Sequence, residues 1–104
     1  WVIYLNRGNQ IKGCECLFSG GMDGTVIDVR VLFRKALEMK AAALIVVHNH
    51  PGGTLRPSSC DESITRKIRG GGDLLDIKLH DHIIVGRSGY YSFADEGRLK
   101  ATGE

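Results

Sequence analysis

The chain has 104 residues, 42% hydrophobic and 25% charged, a balance that suits one folded domain and excludes a disordered or collagen-like chain. Fourteen Lys and Arg against twelve Asp and Glu leave a formal charge of +2, too small to argue by itself for a nucleic-acid partner. No apolar run approaches the roughly 20 residues of a membrane span, and three cysteines, an odd number with no charged-then-apolar leader, point to a reducing, cytoplasmic setting.

Trp1-Val2-Ile3-Tyr4-Leu5 is a continuous apolar run of β-formers and reads as a buried strand. Because it begins at the first residue, a piece upstream is expected to be missing. Asn6-Arg7-Gly8-Asn9 supplies turn residues and Gln10 to Phe18 a second strand, so the two read as an antiparallel hairpin. Ser19 to Gly24 is expected to be loop. Asp28 can cap a helix in which Val29, Leu32, Phe33, Ala36 and Leu37 form an apolar stripe. Arg30, Arg34, Lys35 and Glu38 face water there, with Glu38 at helical spacing from Arg34.

Ala42 to Val47 is wholly apolar and belongs in the middle of the sheet. A second helix is expected from Ser58 to about Asp76, broken or kinked at Gly70-Gly71-Gly72. Its Arg66, Lys67 and Arg69 form a basic cluster best explained as a solvated helix face. Ile77, Leu79, Ile83 and Val85 share one face of a further strand with Asp81 in register among them, and His80 and His82 lie opposite. Gly86-Arg87-Ser88-Gly89 turns the chain into a short strand at Tyr90 to Phe93, and Ala94 to Glu104 is expected to be a loose tail. Together these elements make an α/β fold, a mixed β-sheet with two main helices, in one domain over 1–104.

The chemistry gathers at Val46-Val47-His48-Asn49-His50-Pro51-Gly52-Gly53 with Ser58 and Asp61. Residues two apart on an extended chain project from one face, so His48 and His50 can converge on one ion while Asn49 points away. Pro51-Gly52-Gly53 turns the backbone, Ser58 caps the next helix, and the first turn of that helix returns Asp61 toward the imidazoles. Two neutral imidazoles and a carboxylate form the three-ligand set of catalytic zinc sites, with the fourth position left to water whose pKa the ion lowers from about 15.7 to roughly 7. Ser58 is placed to donate to an oxyanion or simply to cap the helix. His80 and His82 form a second two-apart histidine pair, but no capped carboxylate or Pro-Gly turn accompanies it, so Asp81 or His82 reads as a structural or supporting group rather than a ligand. Cys14 and Cys16, two apart on a strand, with Cys60 as a third thiolate, form a weaker metal set than the His-Asp set.

The spacing H-x-H, seven residues, S, two residues, D matches the metal motif of the JAB/MPN metalloprotease superfamily. The string from His48 to Pro51, with Pro57-Ser58 and Asp61, resembles the bacterial RadC-type branch. The likeness continues through Asp81-His82-Ile83-Ile84-Val85-Gly86 and Tyr91-Ser92-Phe93-Ala94-Asp95-Glu96-Gly97. This resemblance implies a cytidine-deaminase-like fold, Zn2+ held by His48, His50 and Asp61, and Ser58 assisting the tetrahedral intermediate. It also implies hydrolysis of a peptide or isopeptide bond in an unknown protein substrate, and an old association with DNA repair. The superfamily's general base is a glutamate ahead of an aromatic residue like Trp1, hence outside this sequence; Glu15 and Glu38 are the nearest substitutes in order. The competing reading is a catalytically silent metal-binding module that interacts with DNA or a protein partner.

Overall fold

A computed structural model describes residues 1–17, 19–21, 24–50 and 53–99. Strands β1 (Val2–Leu5), β2 (Ile11–Glu15), β5 (Ala43–Asn49), β6 (Lys78–Val85) and β7 (Tyr90–Ser92) form one sheet in the order β2-β1-β5-β6-β7. β1 runs antiparallel to β2 and β5, β5 and β6 are parallel, and β7 is antiparallel to β6. The fold is therefore the expected mixed α/β sheet. Its apolar strand β5 lies at the centre, where both neighbours satisfy its backbone and its run of Ala43, Leu44 and Val46 is buried.

Helices α1 (Val29–Glu38) and α2 (Ser59–Leu75) pack on the sheet face that carries Val2, Tyr4, Leu44, Val46 and Leu79. Asp28 caps α1 by accepting the Arg30 N–H at 2.9 Å, and Leu32, Phe33 and Ala36 enter the core as the apolar stripe requires. Glu38 pairs with Arg34 at 3.6 Å. Leu37, expected in that stripe, is exposed, and Val29 is half-buried against the core. The Tyr4 hydroxyl donates to the Leu32 carbonyl at 3.1 Å, which ties α1 to the sheet. Arg66 and Lys67 are exposed on α2, as a solvated face is.

Four expectations are corrected. Ser19 to Gly24 is not a plain loop: β3 (Ser19–Gly21) pairs antiparallel with β4 (Gly24–Val26) as a separate ribbon, while Phe18, Met22 and Asp23 lie outside the described residues. The tail is not loose as far as Leu99. The Phe93 N–H donates to the His82 carbonyl at 3.1 Å, the Arg98 N–H to the Phe93 carbonyl at 2.8 Å, and the Arg98 guanidinium pairs with Glu62. Leu99 packs on the core, and 100–104 lie outside the described residues.

The third correction concerns the strand faces. Leu44 pairs with Leu79, but Ile45 pairs with Asp81, so His80 is an extra residue on β6. Such a bulge exchanges the two faces of the strand beyond it. Leu79 is buried before the step; after it the buried residues are His82 and Ile84, while Val85 is exposed. The alternation of Leu79, Ile83 and Val85 read from sequence holds only up to the bulge.

Helix α2 also runs unbroken through Gly70-Gly71-Gly72, where a kink was expected. The glycines are there for close approach. A Cβ on Gly71 would stand 2.7 Å from the Phe33 ring, and one on Gly72 would stand 2.1 Å from the Ile77 carbonyl oxygen. Nothing lies within 4 Å of such an atom on Gly70. The packing of α2 on α1 and on the turn into β6 thus overrides poor helix propensity at two of the three positions. Gly72→Ala is expected to lower stability by about 2 kcal/mol through that clash, whereas Gly70→Ala raises it by about 0.5–1 kcal/mol; urea denaturation of both variants checks the opposite signs.

Candidate metal centre

The parallel pairing of β5 and β6 delivers His48 near the carboxyl end of the central strand, and the His50 N–H continues the ladder by donating to the Val85 carbonyl at 3.0 Å. Sites of α/β sheets commonly form at this end. The chain then doubles back, with the Gly53 N–H donating to the His50 carbonyl at 2.9 Å; Pro51 and Gly52 lie outside the described residues. Ser58 caps α2 in a reciprocal box. Its Oγ accepts the Asp61 N–H at 3.1 Å, and Asp61 Oδ2 accepts the Ser58 N–H at 2.7 Å. The cap fixes where Asp61 points.

His48, His50 and Asp61 come together as their spacing suggests. His48 Nε2 lies 2.8 Å from Asp61 Oδ1 and 3.2 Å from His50 Nε2, and His50 Nε2 lies 3.1 Å from Asp61 Oδ2. His48 and Asp61 are buried and His50 is partly buried. The far side of the His50 ring is committed, because Nδ1 faces the Thr54 carbonyl at 2.8 Å and a carbonyl can only accept. In the neutral ring Nδ1 therefore carries the proton, and Nε2 turns a lone pair toward a carboxylate oxygen. Lone pair against anion at this distance calls for a shared cation, and the donor set suits a metal ion.

Burial lowers the His48 pKa, with the facing Asp61 opposing the shift. For Asp61 burial acts the other way and would raise the pKa, but the hydrogen bond from the Ser58 N–H above all holds it below the usual carboxylate range. The carboxylate is thus kept ionised and the His48 imidazole neutral, the forms in which both bind metals.

A second buried imidazole adjoins the cluster. His82, carried inward by the bulge, places Nε2 3.0 Å from His48 Nδ1, and its own Nδ1 lies 2.6 Å from Thr65 Oγ1. Phe93 stacks on the His82 ring at a centroid distance of 4.8 Å and an interplanar angle of 7°. Burial pushes the His82 pKa down to about 4. Among the described residues His48, Asp61 and His82 form a buried group that could hold a metal ion. The ligand set read from sequence differs in one member, having His50 in the place of His82.

Asp81 supports this corner. Its Oδ1 accepts the N–H groups of His82 at 2.8 Å and Ala94 at 3.0 Å, and its Oδ2 accepts the Ser92 hydroxyl at 2.5 Å. It thereby holds the chain that bears Phe93 against His82. Thr65 and Phe93 escaped sequence reasoning. Thr65 was detectable, since it lies four residues after Asp61 on the same helix face. Phe93 was not, since only the bulge sets His82 beneath it.

The other chemical residues stand elsewhere. Cys14, Cys16 and Cys60 are exposed, and the metal-competent group among the described residues contains no cysteine. His80 Nε2 meets the Asn9 side-chain oxygen at 2.9 Å. Glu15 pairs with Lys35 at 3.5 Å, and it faces Val2, which in turn faces Val46. It thus stands two strands, roughly 10 Å, from β5. Glu38 closes α1 beside the start of β5, at the far end of that strand from His48. Among the described residues no helix is long and apolar enough to cross a membrane.

The RadC-like JAB domain family matches residues 1–98. A UPF0758 protein of Flavobacterium johnsoniae is 47% identical over 97 residues, covering 93% of this chain and 42% of that protein. One of Porphyromonas gingivalis is 45% identical over 100 residues, covering 95% of this chain and 44% of that protein. The UPF0758 protein YfjY of Escherichia coli is 42% identical over 98 residues, covering 94% of this chain and 61% of its own length. The chain thus spans less than half the length of the first two and about three fifths of the third. With the metal-competent cluster at the end of β5, a mixed sheet flanked by two helices and a match from the first residue to Arg98, the chain belongs to the RadC-like JAB domain family.

Proposed function

We propose that this domain is a zinc-dependent hydrolase of a peptide or isopeptide bond, with His48, His50 and Asp61 as the metal ligands and Ser58 as a donor to the oxyanion. The observation that carries the reading is the mutual approach of one carboxylate and two ring nitrogens within 3.2 Å at the end of the central strand. Atoms bound about 2.0–2.1 Å from a tetrahedral zinc lie roughly 3.3 Å apart, so these side chains need little rearrangement. His50 is preferred to His82 because its Nε2 faces the same His48 nitrogen as Asp61 does, whereas His82 approaches the opposite nitrogen of that ring.

A zinc ion held there supplies a Lewis acid for the scissile carbonyl and lowers the pKa of a water. The chain does the rest. Thr54 keeps the His50 lone pair aimed inward, and the Ser58 N–H holds Asp61 ionised and oriented. Ser58 Oγ, having accepted the Asp61 N–H, is assigned to donate its proton to the oxyanion. The resemblance to the JAB/MPN superfamily implies as base a glutamate just ahead of the position of Trp1. Val2 pairs with Val46, and the Trp1 amino group donates to the Val47 carbonyl at 2.7 Å, so a residue ahead of Trp1 would enter the row beside His48.

Elemental analysis is expected to find about one zinc per chain, lost in Asp61→Ala and in His50→Ala; undiminished zinc in either variant removes that residue from the ligand set. A chain extended through its native upstream residues is expected to cleave a peptide or isopeptide linkage and to stop on chelation. Ser58→Ala should then slow turnover by about 10²–10³. Full zinc occupancy without turnover of any such linkage would instead assign the domain to a metal-stabilised binding module.

A further inference from the structure

We propose that Thr65 and His82 are positioning residues that set which nitrogen of His48 carries the proton, and so which one is left to bind metal. The proposal rests on the metal reading above for its purpose but on separate contacts for its content. Four groups stand in line: the Asp61 carbonyl, Thr65 Oγ1, His82 and His48. Thr65 Oγ1 lies 2.8 Å from the Asp61 carbonyl oxygen and 2.6 Å from His82 Nδ1. His82 Nε2 lies 3.0 Å from His48 Nδ1.

Each contact needs one proton, and the chemistry of the first link decides the rest. A carbonyl has no proton to give, so Thr65 donates to Asp61. A hydroxyl has a single proton, so Thr65 can only accept from His82, whose proton is therefore on Nδ1. The neutral His82 ring then presents a bare Nε2, which accepts from His48 Nδ1. The Nε2 of a neutral His48 is left with a lone pair directed at Asp61 and His50. The opposite arrangement, with Thr65 donating to His82, would set two oxygens 2.8 Å apart with no proton between them.

The relay begins and ends on Asp61. The residue whose carboxylate faces the His48 lone pair also supplies, through its main-chain carbonyl four residues before Thr65, the acceptor that orients that lone pair. Helix α2 therefore sets both the acid and the tautomer of the imidazole opposite it. The bulge at His80 and the stacked Phe93 hold His82 in line, and the ring is only 1% exposed, so water does not compete for its nitrogens. Partners behind metal-binding histidines commonly act this way, and their loss lowers metal affinity by about 10–100-fold.

Thr65→Val keeps the side-chain shape and removes the hydroxyl. His82 Nδ1 then has no acceptor, and the ring is expected to carry its proton on Nε2, which would donate to His48 Nδ1 and force the His48 proton to the metal-facing nitrogen. Long-range proton–nitrogen correlation spectra of the wild type should show His82 protonated at Nδ1 both without and with zinc. In Thr65→Val the proton should move to Nε2 and zinc affinity should fall about 10–100-fold, while Thr65→Ser, which restores the hydroxyl, should return both to wild-type values. A wild-type His82 protonated at Nε2 overturns the proposal, as does an unchanged zinc affinity in Thr65→Val or a zinc-induced shift showing His82 Nε2 itself bound to metal. The wild-type spectra decide the matter even if Thr65→Val folds poorly. A wild type that binds no zinc would instead defeat the metal reading, while its spectra would still decide the relay.

Discussion

The centre depends on one buried carboxylate whose two oxygens serve different masters. Asp61 Oδ2 accepts the Ser58 N–H, which completes the start of α2, and also faces His50; Oδ1 faces His48. An ionised carboxylate inside a protein is costly unless it is fully hydrogen-bonded or beside a cation. The helix N-terminus meets part of that requirement, because its unpaired N–H groups and the aligned peptide dipoles favour negative charge there. What remains is left to a cation that Asp61 would share with the two imidazoles. The helix start, the strand end and the ionisation state of the pocket are therefore a single problem with a single solution.

The sequence displayed this part of the molecule clearly because each step is local. His48 and His50 are two apart at a strand end, Ser58 and Asp61 are three apart at a helix start, and a short turn joins them. Each spacing has one plain geometric meaning. The apolar run at Ala42 to Val47 likewise had to be a central strand, because no other place in a sheet buries both of its sides.

The misreadings share a different cause. At Gly70 to Gly72 local propensity argued for a break, but propensity amounts to about 1 kcal/mol per glycine and close packing against Phe33 and Ile77 outweighed it. At His80 a single additional residue inverted the strand faces, and alternation carries no marker for where such a residue falls. That error set His82 on the face opposite Leu79, although its reading as a supporting group agrees with its almost complete burial. The turn after β7 was misjudged for a similar reason, since the partners that hold it, His82, Asp81 and Glu62, are distant in sequence.

Six of the side chains around the centre, His48, His50, Ser58, Asp61, Thr65 and His82, come from the single strand-helix-strand stretch β5-α2-β6. Among the described residues, none between Asn6 and Ala41 supplies a group to it. The hairpin turn, the β3–β4 ribbon and the outer face of α1 can thus lengthen, shorten or change character across a lineage without displacing a donor atom. A domain built this way can acquire new recognition surfaces on one flank while its metal-binding donors are inherited together on one continuous segment.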